Sequence, residues 1–523
     1  MRGLWAFGSV TARPRRCAVL ARVGSATLVG VDGLAVTVEV QVCNGLPGFR
    51  IVGLPDASCR EARDRVRAAV VSSGFRWPLQ RVTVNLAPSG LRKAGPTLDM
   101  AIALGVLAAD GQVPSERLGR FHFVAELGLD GSLRPVAGAL PLALACSQCV
   151  VMAPGSASEC VHAGIPEVVS APDLASAISA LCGRRRWERA SSGSGAPVST
   201  QREPEPDLAD VRGQPVGRRA LEVAAARGHH LLLVGPPGCG KTMLARRLIG
   251  LLPDLSAGEA LEVARVHSAV GIPSSMAQGV RRPPFRSPHH RVPPVALIGG
   301  GGARLRPGEV SCAHHGVLFL DELAEFSRVS LDCLREPLEQ GSVTVARGSV
   351  AIELPAQFQL VAATNACRCA SDGSPGACAC SPGVRSRYWS ALSMALMDRL
   401  DLSVRLRRPA MGELFEDGRA ACEPSCAVRA RVAQVRRRSQ ERSGTLNARL
   451  PGPRLNELVP LSPSARRLLE RRAQQGRMSA RAVDQVRRVA LTIADLAGEE
   501  PPLADEHLLE AIALRSVGPS GLL

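Results

Sequence analysis

The sequence predicts an α/β fold built around a parallel sheet, with a mixed α+β domain before it and a helical domain after it. Between residues 210 and 410, apolar strands alternate with helices, which is the pattern of a parallel sheet covered on both faces. One of these strands leads directly into a glycine-rich loop that opens a helix. The region 411–523 has a helical pattern and is rich in arginine, with 16 Arg against 4 acidic residues between positions 427 and 490.

The N-terminal part, residues 19–182, combines short strands with helices. The stretch "LAVTVEVQV" alternates apolar and polar residues as a half-buried strand does, and "RVTVNLAP" predicts a second strand. "DASCREARDRVRAAVVSSG" predicts an amphipathic helix closed by Gly74, and "TLDMAIALGVLAADG" predicts an apolar helix. We expect residues 1–18 to form a basic tail. The charged, then Ser/Gly-rich, then Pro/Glu-rich stretch 183–209 is expected to be a linker.

The charge balance favours a polyanionic partner, because the 523 residues carry a net charge of +17. Only two of the 64 basic residues are lysines, Lys93 and Lys241, so part of this charge reflects a general use of Arg in place of Lys. Aromatic residues make up 3% of the chain, which argues against base-stacking nucleic-acid modules. Because Arg replaces Lys almost everywhere, we expect each remaining lysine to occupy a position where the planar guanidinium group of Arg does not fit.

The chain has 16 cysteines, and its N-terminus lacks the apolar run and cleavage site of a secretory signal. No stretch approaches the ~18 uninterrupted apolar residues of a membrane helix, so no membrane span is expected. We expect a cytoplasmic location, where cysteine clusters bind metal more often than they form disulfides.

The segment "GPPGCGKT" matches the phosphate-binding pattern G-x-x-x-x-G-K-[ST] in full, between a strand and a helix. In such a loop, backbone N–H groups approach phosphate oxygens, the Lys reaches the β- and γ-phosphates, and the Thr hydroxyl holds Mg²⁺. The sequence therefore predicts a site for ATP and Mg²⁺ formed by Gly235, Pro236, Pro237, Gly238, Cys239, Gly240, Lys241 and Thr242.

Two later strands end in polar residues that would complete this site. "GVLFLDEL" ends in Asp321, predicted to bind Mg²⁺ through water, and Glu322, predicted to polarise the attacking water. "FQLVAATN" places Asn365 at the end of another strand, where its amide would orient the same water.

Two arginines are further candidates for the reaction. "LMDRLDL" carries Arg399, a candidate arginine finger that would act on ATP bound to a neighbouring subunit. "MSARAVDQVRRVALTIADLAG" predicts a helix capped by Ser479, with Arg481 in its first turn and directed toward a ligand at the domain seam. The alternative for each arginine is a surface ion pair.

The loop, the acid pair, Asn365 and the two arginines, in this order, resemble the AAA+ ATPases over roughly residues 210–515. The long interval between Lys241 and Asp321 holds a basic insert rich in Pro and Gly. A second insert, "SVTVARGSVAIELP", predicts a β-hairpin that turns at Arg347-Gly348. Two such inserts resemble the AAA+ branch that contains the Mg-chelatase motor subunits and the MCM-type helicases.

The resemblance narrows further when the stretches "FRSPHH" and "GLPGFRIVGLPDASCREARDRVRAAVVSSGFRWP" are included. Together with the strand-end motifs, they resemble the YifB/ComM family of Mg-chelatase-like AAA+ proteins, over nearly the whole chain from Val19. This resemblance implies a hexameric ring that hydrolyses ATP, and a ComM-like branch-migration helicase that acts on DNA in natural transformation.

Two N-terminal segments, "NLAPSGLRKAGPTLDMAIAL" and "ELGLDGSLRPVAGAL", resemble the signature segments of Lon-type protease domains, which have a ribosomal S5 domain 2-like fold. Those enzymes use a Ser nucleophile and a Lys base. The Ser position falls on Thr97 and the Lys position on Leu140, which cannot accept a proton. Lys93 could in principle serve as a substitute base for Thr97, but it lies in the first of the two segments, whereas the Lon-type Lys lies in the second. We therefore expect a fold retained for oligomerisation or for guiding a partner, rather than a protease.

The stretch "NACRCASDGSPGACACSPG" is a cysteine cluster with the spacing C-x-C-x8-C-x-C. Four thiolates on a loop rich in Gly and Pro could close a tetrahedral Zn²⁺ site with a structural role. The alternative is a cysteine-rich loop without metal. The four residues concerned are Cys367, Cys369, Cys378 and Cys380.

Two further motifs each allow two different roles. Cys239, inside the phosphate-binding loop, is expected to be a filler, with a redox-sensitive ATPase as the alternative. The stretch "FRSPHHR" is expected to face DNA or to shape a DNA-facing loop, and metal binding by its histidines is the alternative. Its charged or titratable residues are Arg286, His289, His290 and Arg291.

Three functions compete on these grounds. The first is a ring-shaped motor that grips the phosphates of branched or single-stranded DNA without reading its sequence. The second is a chelatase-like ATPase that remodels a partner protein from the same ATP site. The third is an ATP-dependent Lon-type protease, which Leu140 disfavours.

Overall fold

The chain, taken as a computed structural model, divides into two compact units, Met1–Pro197 and Val198–Leu523. The expected tail lies outside the described residues, as does most of the expected linker. The described residues are 19–54, 56–90, 93, 95–165, 167–189, 205–272, 281–301, 305–347, 350–369, 378, 380–390, 392, 394–410, 412–413, 422–474 and 478–515.

The first unit is built on a mixed sheet. Its strands are β1 (Val19–Val29), β2 (Asp32–Cys43), β3 (Gly48–Val52), β4 (Arg81–Ala87), β5 (Phe121–Val124), β6 (Glu126–Leu127), β7 (Leu133–Arg134), β8 (Cys149–Met152), β9 (Val168–Ser170) and β10 (Glu188–Arg189). Eight of them form one sheet in the order β10-β9-β8-β5-β1-β2-β4-β3, and β6 pairs with β7. The β1–β2 and β2–β4 pairs are antiparallel, and β5, β8 and β9 continue the sheet as parallel neighbours.

Strand β2 contains the predicted alternating segment. Val36, Val38 and Val40 are buried, while the residues between them reach solvent more. Such alternation arises because successive side chains of a strand point to opposite faces of the sheet. The predicted strand is confirmed.

The helices of the first unit are α1 (Ala57–Ser72), α2 (Asp99–Ala109), α3 (Ala139–Leu144), α4 (Pro154–His162) and α5 (Leu174–Leu181). Helix α1 starts at Asp56, whose carboxylate accepts the N–H of Cys59 at 2.8 Å, and it is followed by Gly74 with φ +82°. All residues of α2 are buried, as expected for a helix that is apolar on every face. Both predicted helices are confirmed.

Ordered structure extends into both ends of the stretch expected to be a linker. Glu188–Arg189 pairs with β9 and so belongs to the sheet of the first unit. At the other end, Asp207 caps a short helical turn, Leu208–Asp210, that belongs to the second unit.

The second unit contains the predicted parallel sheet. Its strands are β11 (Leu231–Val234), β12 (Phe285–Arg286), β15 (Val317–Leu320), β18 (Gln359–Thr364) and β19 (Leu402–Arg405). They are parallel and lie in the order β12-β15-β18-β11-β19. Every residue of β11, β15 and β18 is buried, because helices cover both faces of such a sheet. The α/β fold predicted for this region is confirmed.

Helices and short inserts surround this sheet. They are α6 (Pro215–Arg227), α7 (Lys241–Leu251), α8 (Ala257–Val270), α9 (Pro294–Ile298), α10 (Glu309–Cys312), α11 (Arg328–Asp332), α12 (Arg335–Gln340), α13 (Pro382–Ser390) and α14 (Met394–Met397). Two antiparallel pairs lie in the inserts: β13 (Gly299–Gly300) with β14 (Arg306–Pro307), and β16 (Ser342–Arg347) with β17 (Val350–Pro355). The β16–β17 register pairs Arg347 with Val350, so the predicted hairpin is confirmed. Its predicted turn at Arg347-Gly348 extends outside the described residues.

The C-terminal part is helical, as predicted. Its helices are α15 (Ser425–Ser443), α16 (Gly452–Leu458), α17 (Pro463–Gln474), α18 (Ala480–Ala497) and α19 (Asp505–Ala513). Ser479 caps α18 by accepting the N–H of Ala482 at 3.2 Å, and Val486, Ala490 and Ile493 on one face of this helix are at most 2% exposed. These helices share one apolar core with the parallel sheet. Within the described part of the chain, no helix is long and apolar enough to cross a membrane.

Candidate functional site

The glycine-rich loop follows β11 and leads into α7, as the sequence predicts. A Cβ atom on Gly235 would lie 2.7 Å from Cys239 Sγ and 2.8 Å from the carbonyl oxygen of Leu406, so only glycine fits there. Gly240, at the start of α7, has φ +91°, a left-handed conformation that glycine adopts without strain. The loop thereby leads to a helix N-terminus, which is where phosphate groups bind.

The remaining loop residues divide between exposed and buried positions. Pro237 and Gly238 are exposed, whereas Pro236 and Cys239 are buried. Burial raises the pKa of the Cys239 thiol, which keeps the thiol protonated. A buried, protonated thiol is poorly reactive, and this favours the filler role of Cys239 over redox sensing.

Lys241 lies across the loop and reaches the neighbouring strand end. Its Nζ donates to the carbonyl oxygens of Gly235 and Pro236, at 2.7 and 3.0 Å, and to Asn365 Oδ1 at 3.0 Å. Asn365 follows β18, which is hydrogen-bonded to β11 in the sheet. Burial lowers the pKa of Lys241. The structure therefore joins two residues that the sequence proposed separately.

Thr242 and Asp321 are in direct contact. Thr242 Oγ1 donates to Asp321 Oδ2 at 2.7 Å, from the first turn of α7 to the end of β15. A hydroxyl and a carboxylate placed together beside a phosphate-binding loop are the ligands that Mg²⁺ uses in such sites. These two residues fit the predicted Mg²⁺, and the glycines and Lys241 fit the phosphates of ATP.

Glu322 adopts a backbone conformation that is uncommon for a residue with a side chain, with φ +53°. Its N–H donates to Asp321 Oδ1 at 3.0 Å. Its carboxylate is 61% exposed and lies 3.3 Å from Nδ1 of His290. The group expected to polarise water is thus held beside a histidine.

His290 is the residue of this site that sequence reasoning missed. Its ring packs against His289, with centroids 4.1 Å apart, and against Phe326 at 6.4 Å. The expectation of a DNA-facing loop or a histidine metal site did not anticipate the contact with Glu322.

The short strand β12 explains why His290 lies there. Because β12 is parallel to β15, the residues that follow each strand meet at the same edge of the sheet. A two-residue strand leaves no periodic signal in the sequence. Arg286, which was expected in a DNA-facing stretch, is part of β12, and its guanidinium binds Glu309 at 2.7 and 2.8 Å.

Arg399 and Arg481 meet at one carboxylate at the end of α12. Glu339 Oε1 lies 2.5 Å from Arg399 Nη2 and 3.0 Å from Arg481 Nη1. Among the described residues, neither guanidinium hydrogen-bonds the phosphate-binding loop. Within one chain the two arginines therefore form ion pairs. For each of them, an ion pair is the alternative that the sequence allows to a role in ATP hydrolysis.

The four cysteines of the cluster come together. All four sulfur atoms lie within 4.8 Å of one another, with Cys369 and Cys378 at 3.3 Å and Cys378 and Cys367 at 3.5 Å. Four thiolates on one tetrahedral Zn²⁺ have sulfur–sulfur distances of about 3.8 Å, given Zn–S bonds of about 2.3 Å. Cys367, Cys369, Cys378 and Cys380 therefore suit a zinc ion.

The Lon-like segments carry no catalytic pair. Thr97 is 1% exposed, and its hydroxyl donates to the carbonyl oxygen of Ala26 at 3.1 Å. Lys93 is buried, and its Nζ has no hydrogen-bond partner, so the substitute pair with Thr97 is not formed. Leu140 is buried within α3. These positions are part of the core of the first unit.

The sheet order, the loop after β11, the acid pair after β15 and Asn365 after β18 define a P-loop protein of the AAA+ class with a helical C-terminal domain. Three family models match the chain: magnesium chelatase subunit ChlI over residues 207–414, subunit ChlI of Mg-chelatase over 38–152, and the ChlI C-terminal model over 422–515. The chain belongs to the YifB/ComM family of Mg-chelatase-like AAA+ proteins.

Relatives resemble this chain over nearly their whole length. An uncharacterized protein of Mycobacterium tuberculosis (strain H37Rv) is 43% identical over 512 residues, which covers 95% of this chain and 99% of that protein. The uncharacterized protein YifB of Escherichia coli K12 is 40% identical over 503 residues, covering 94% and 96%. The competence protein ComM of Haemophilus influenzae is 40% identical over 503 residues, covering 95% and 98%.

Two more distant similarities cover parts of the chain. Lon protease 2 of Bacillus subtilis is 28% identical over 187 residues, or 30% of this chain and 32% of that protein. A DNA replication licensing factor of Gallus gallus is 25% identical over 136 residues, or 26% and 14%. The first similarity agrees with a Lon-like N-terminal domain, and membership of the AAA+ class implies ATP and Mg²⁺ as cofactors.

Proposed function

We propose that this chain hydrolyses ATP with Mg²⁺ and uses the energy, within a ring of identical subunits, to move along DNA. The observation that carries the proposal is the convergence of Lys241, Thr242, Asp321, Glu322 and Asn365 at one edge of the parallel sheet. These residues come from two strand ends and one helix start, and contacts of 2.7–3.0 Å link them in pairs.

Each of these residues has a defined task in phosphoryl transfer. Lys241 and the loop N–H groups would bind the phosphates and stabilise the charge that develops on them. Thr242 and Asp321 would hold Mg²⁺, which supplies further charge neutralisation when bound. Glu322 would take a proton from the attacking water, and Asn365, once Lys241 turns to phosphate, would be free to orient that water.

Arg399 and Arg481 support the proposal of a ring. An arginine finger acts across a subunit interface, and within a single chain both arginines instead bind a local acid, Glu339. In a ring, which we propose to be a hexamer, both guanidinium groups would exchange Glu339 for nucleotide phosphates at the interface.

The DNA partner is supported by charge and by two relatives. The net charge of +17 favours a polyanion, and non-specific phosphate contacts need no base-reading side chains. One relative is named a competence protein and another a DNA replication licensing factor. We propose branched or single-stranded DNA, bound without sequence specificity.

The test compares wild type with Glu322→Gln in ATPase and branched-DNA unwinding assays. The variant should bind ATP normally but lose roughly 100-fold or more in kcat, because it lacks the base. Glu325→Gln, an exposed acid three residues later, is the matched control and should keep wild-type activity.

DNA should stimulate the ATPase activity of the wild type, and the DNA-motor proposal fails if DNA changes neither the ATPase rate nor the oligomeric state.

A second candidate function is remodelling of a partner protein, because the matching family models describe a magnesium chelatase subunit. It would use the same ATP site. Stimulation of the ATPase by a protein partner, together with indifference to DNA, would favour this function over the DNA motor. Proteolysis is not supported, because Thr97 lacks a base.

We also propose that the four-cysteine cluster holds a structural zinc ion. The close approach of the four sulfur atoms supports this role, and the chain between Asn365 and α13 would be fixed by the metal.

A further inference from the structure

A cavity of about 560 Å³ lies in the second unit, far from the phosphate-binding loop. Gly228 and Gly316, which precede β11 and β15, and Gln359 at the start of β18 form one wall. The cavity is therefore at the amino ends of these parallel strands, whereas the loop is at their carboxyl ends. Four residues of β11 alone separate the two edges by roughly 13 Å. The opposite wall comes from α15 and the segment after it.

Three arginines line this cavity, and within the described residues none of them forms a hydrogen bond or ion pair with a carboxylate. They are Arg436 and Arg437 of α15, and Arg449 just beyond it. Arg436 donates only to the carbonyl oxygen of Ala225, at 2.7 and 3.0 Å. Among the described residues, the side chains of Arg437 and Arg449 form no hydrogen bond or ion pair.

The acids that line the cavity are already engaged. Asp254 lies 3.3 Å from Arg282 and 3.7 Å from Arg429, so this carboxylate already forms two ion pairs. Glu259 accepts the N–H of Ser256 at 2.8 Å as part of a helix cap, and its charge also attracts Arg436 and Arg449. The three arginines thus exceed the acids available to them.

The environment makes this excess of charge unfavourable in the free protein. Burial lowers the pKa of Arg436 to about 10, and loss of water also lowers the pKa of Arg449. Arg227, whose charge also acts on Arg436, is fully buried and shares the carboxylate of Asp495 with Arg442. Arg437 and Arg449 remain exposed enough for a ligand to reach them, and three like charges close together favour binding of an anion.

We infer that this cavity is a second anion site, which binds a small ligand carrying two or more phosphates, such as a free nucleotide. Guanidinium groups bind phosphate oxygens in a planar, two-pronged geometry, and three of them suit a diphosphate or triphosphate. The volume is in the range of small-molecule sites, roughly 300–1,000 Å³. Leu255, Pro283 and Phe358 add an apolar surface for a base or another non-phosphate part. The site does not depend on the function proposed for the phosphate-binding loop.

The test uses the full-length chain with Lys241→Ala, which disables the phosphate-binding loop, and pyrophosphate and ADP as probes in titration calorimetry. We expect both probes to bind this variant. Adding Arg437→Gln and Arg449→Gln should weaken binding about tenfold or more, because charged hydrogen bonds to phosphate are lost. Arg438→Gln, the next residue of α15 but outside the cavity wall, is the matched control and should bind as before.

Folding is checked separately. Within the described residues the side chains of Arg437 and Arg449 form no hydrogen bond or ion pair, so the double variant on the wild-type background should unfold at nearly the same temperature and keep ATP binding at its loop. If neither probe binds the Lys241→Ala chain, or if the double variant binds as well as its parent, the inference is wrong. It is also wrong if the double variant loses only oligonucleotide binding, since the cavity would then be part of a DNA surface.

Discussion

At the scale of single residues, the site consists of hydrogen-bonded pairs whose members lie far apart in the sequence. Lys241 binds Asn365 across 124 positions, and Thr242 binds Asp321 across 79. Each member was predicted from its own motif, because a strand followed by a glycine loop, an acid or an amide is a local pattern. The partner of Glu322 was not predicted, because His290 follows a strand of only two residues.

His290 is expected to position Glu322 for its work on water. In His290→Ala, the carboxylate loses its neighbour at 3.3 Å, and kcat should fall about tenfold while KM changes less than about twofold. Steady-state ATPase kinetics measure both. His289→Ala, which removes the exposed neighbouring ring, is the control. A rise in KM with unchanged kcat would contradict a positioning role.

At the scale of elements, the strands of the parallel sheet are linked by buried neutral histidines. His230, which precedes β11, accepts the N–H of Leu360 of β18 at its Nδ1, at 3.0 Å, and its own N–H donates to Asp401. Burial lowers the pKa of His230 to about 4, with Asp401 opposing and Arg449 and His229 adding to the shift. His314, beside the amino end of β15, accepts the N–H of Gln357, and burial lowers its pKa to about 4 as well.

These histidines predict a loss of stability in mild acid. Both are neutral in the folded chain, while the unfolded chain takes up protons below about pH 6.5. Their contribution is complete above pH 6.5 and is lost as the pH falls toward 4, by up to roughly 3 kcal/mol for each histidine. Urea unfolding between pH 7 and 4.5 measures it. His230→Asn should show a shallower pH dependence than wild type, and equal slopes would refute the assignment.

The cysteine cluster predicts a metal content. Purified protein should contain about one zinc per chain by elemental analysis, and less than ~0.3 would exclude a closed site. Replacing Cys378 and Cys380 with Ser should abolish the zinc, since two of four ligands are lost. Cys333→Ser, outside the cluster, is the control and should keep it.

At the scale of the whole molecule, the chain has separate cores for its two units. The sheet and the C-terminal helices of the second unit share one core, so the arginine of α18 is held firmly beside the arginine that precedes β19. Within one chain, both arginines form an ion pair with Glu339, and Arg399 also donates to the carbonyl oxygen of Ala395. If they act on a neighbour's ATP, as we propose, the site is complete only in an assembly.

This dependence predicts complementation between inactive chains. Arg399→Ala should lose most ATPase activity, and Lys241→Ala should lose it as well. Mixed, they should recover part of it, because a Lys241→Ala subunit still supplies Arg399 to the intact loop of its neighbour. Mixing Lys241→Ala with Glu322→Gln, both defective in their own sites, should recover nothing. No recovery in the first mixture would indicate that Arg399 acts within its own chain.

The sequence by itself determined the fold class, the phosphate-binding loop, the acid pair and the capped helix that carries Arg481. Each of these features depends on residues close together in the sequence: the spacing of apolar residues, the backbone conformations that only glycine adopts easily, and the residue that caps a helix. Only the tertiary structure decided which side chains meet, as with His290 and Glu322, the two arginines on Glu339, and the unmatched arginines of the cavity. Those contacts depend on strand order and helix packing, which bring distant segments together and which no local pattern encodes.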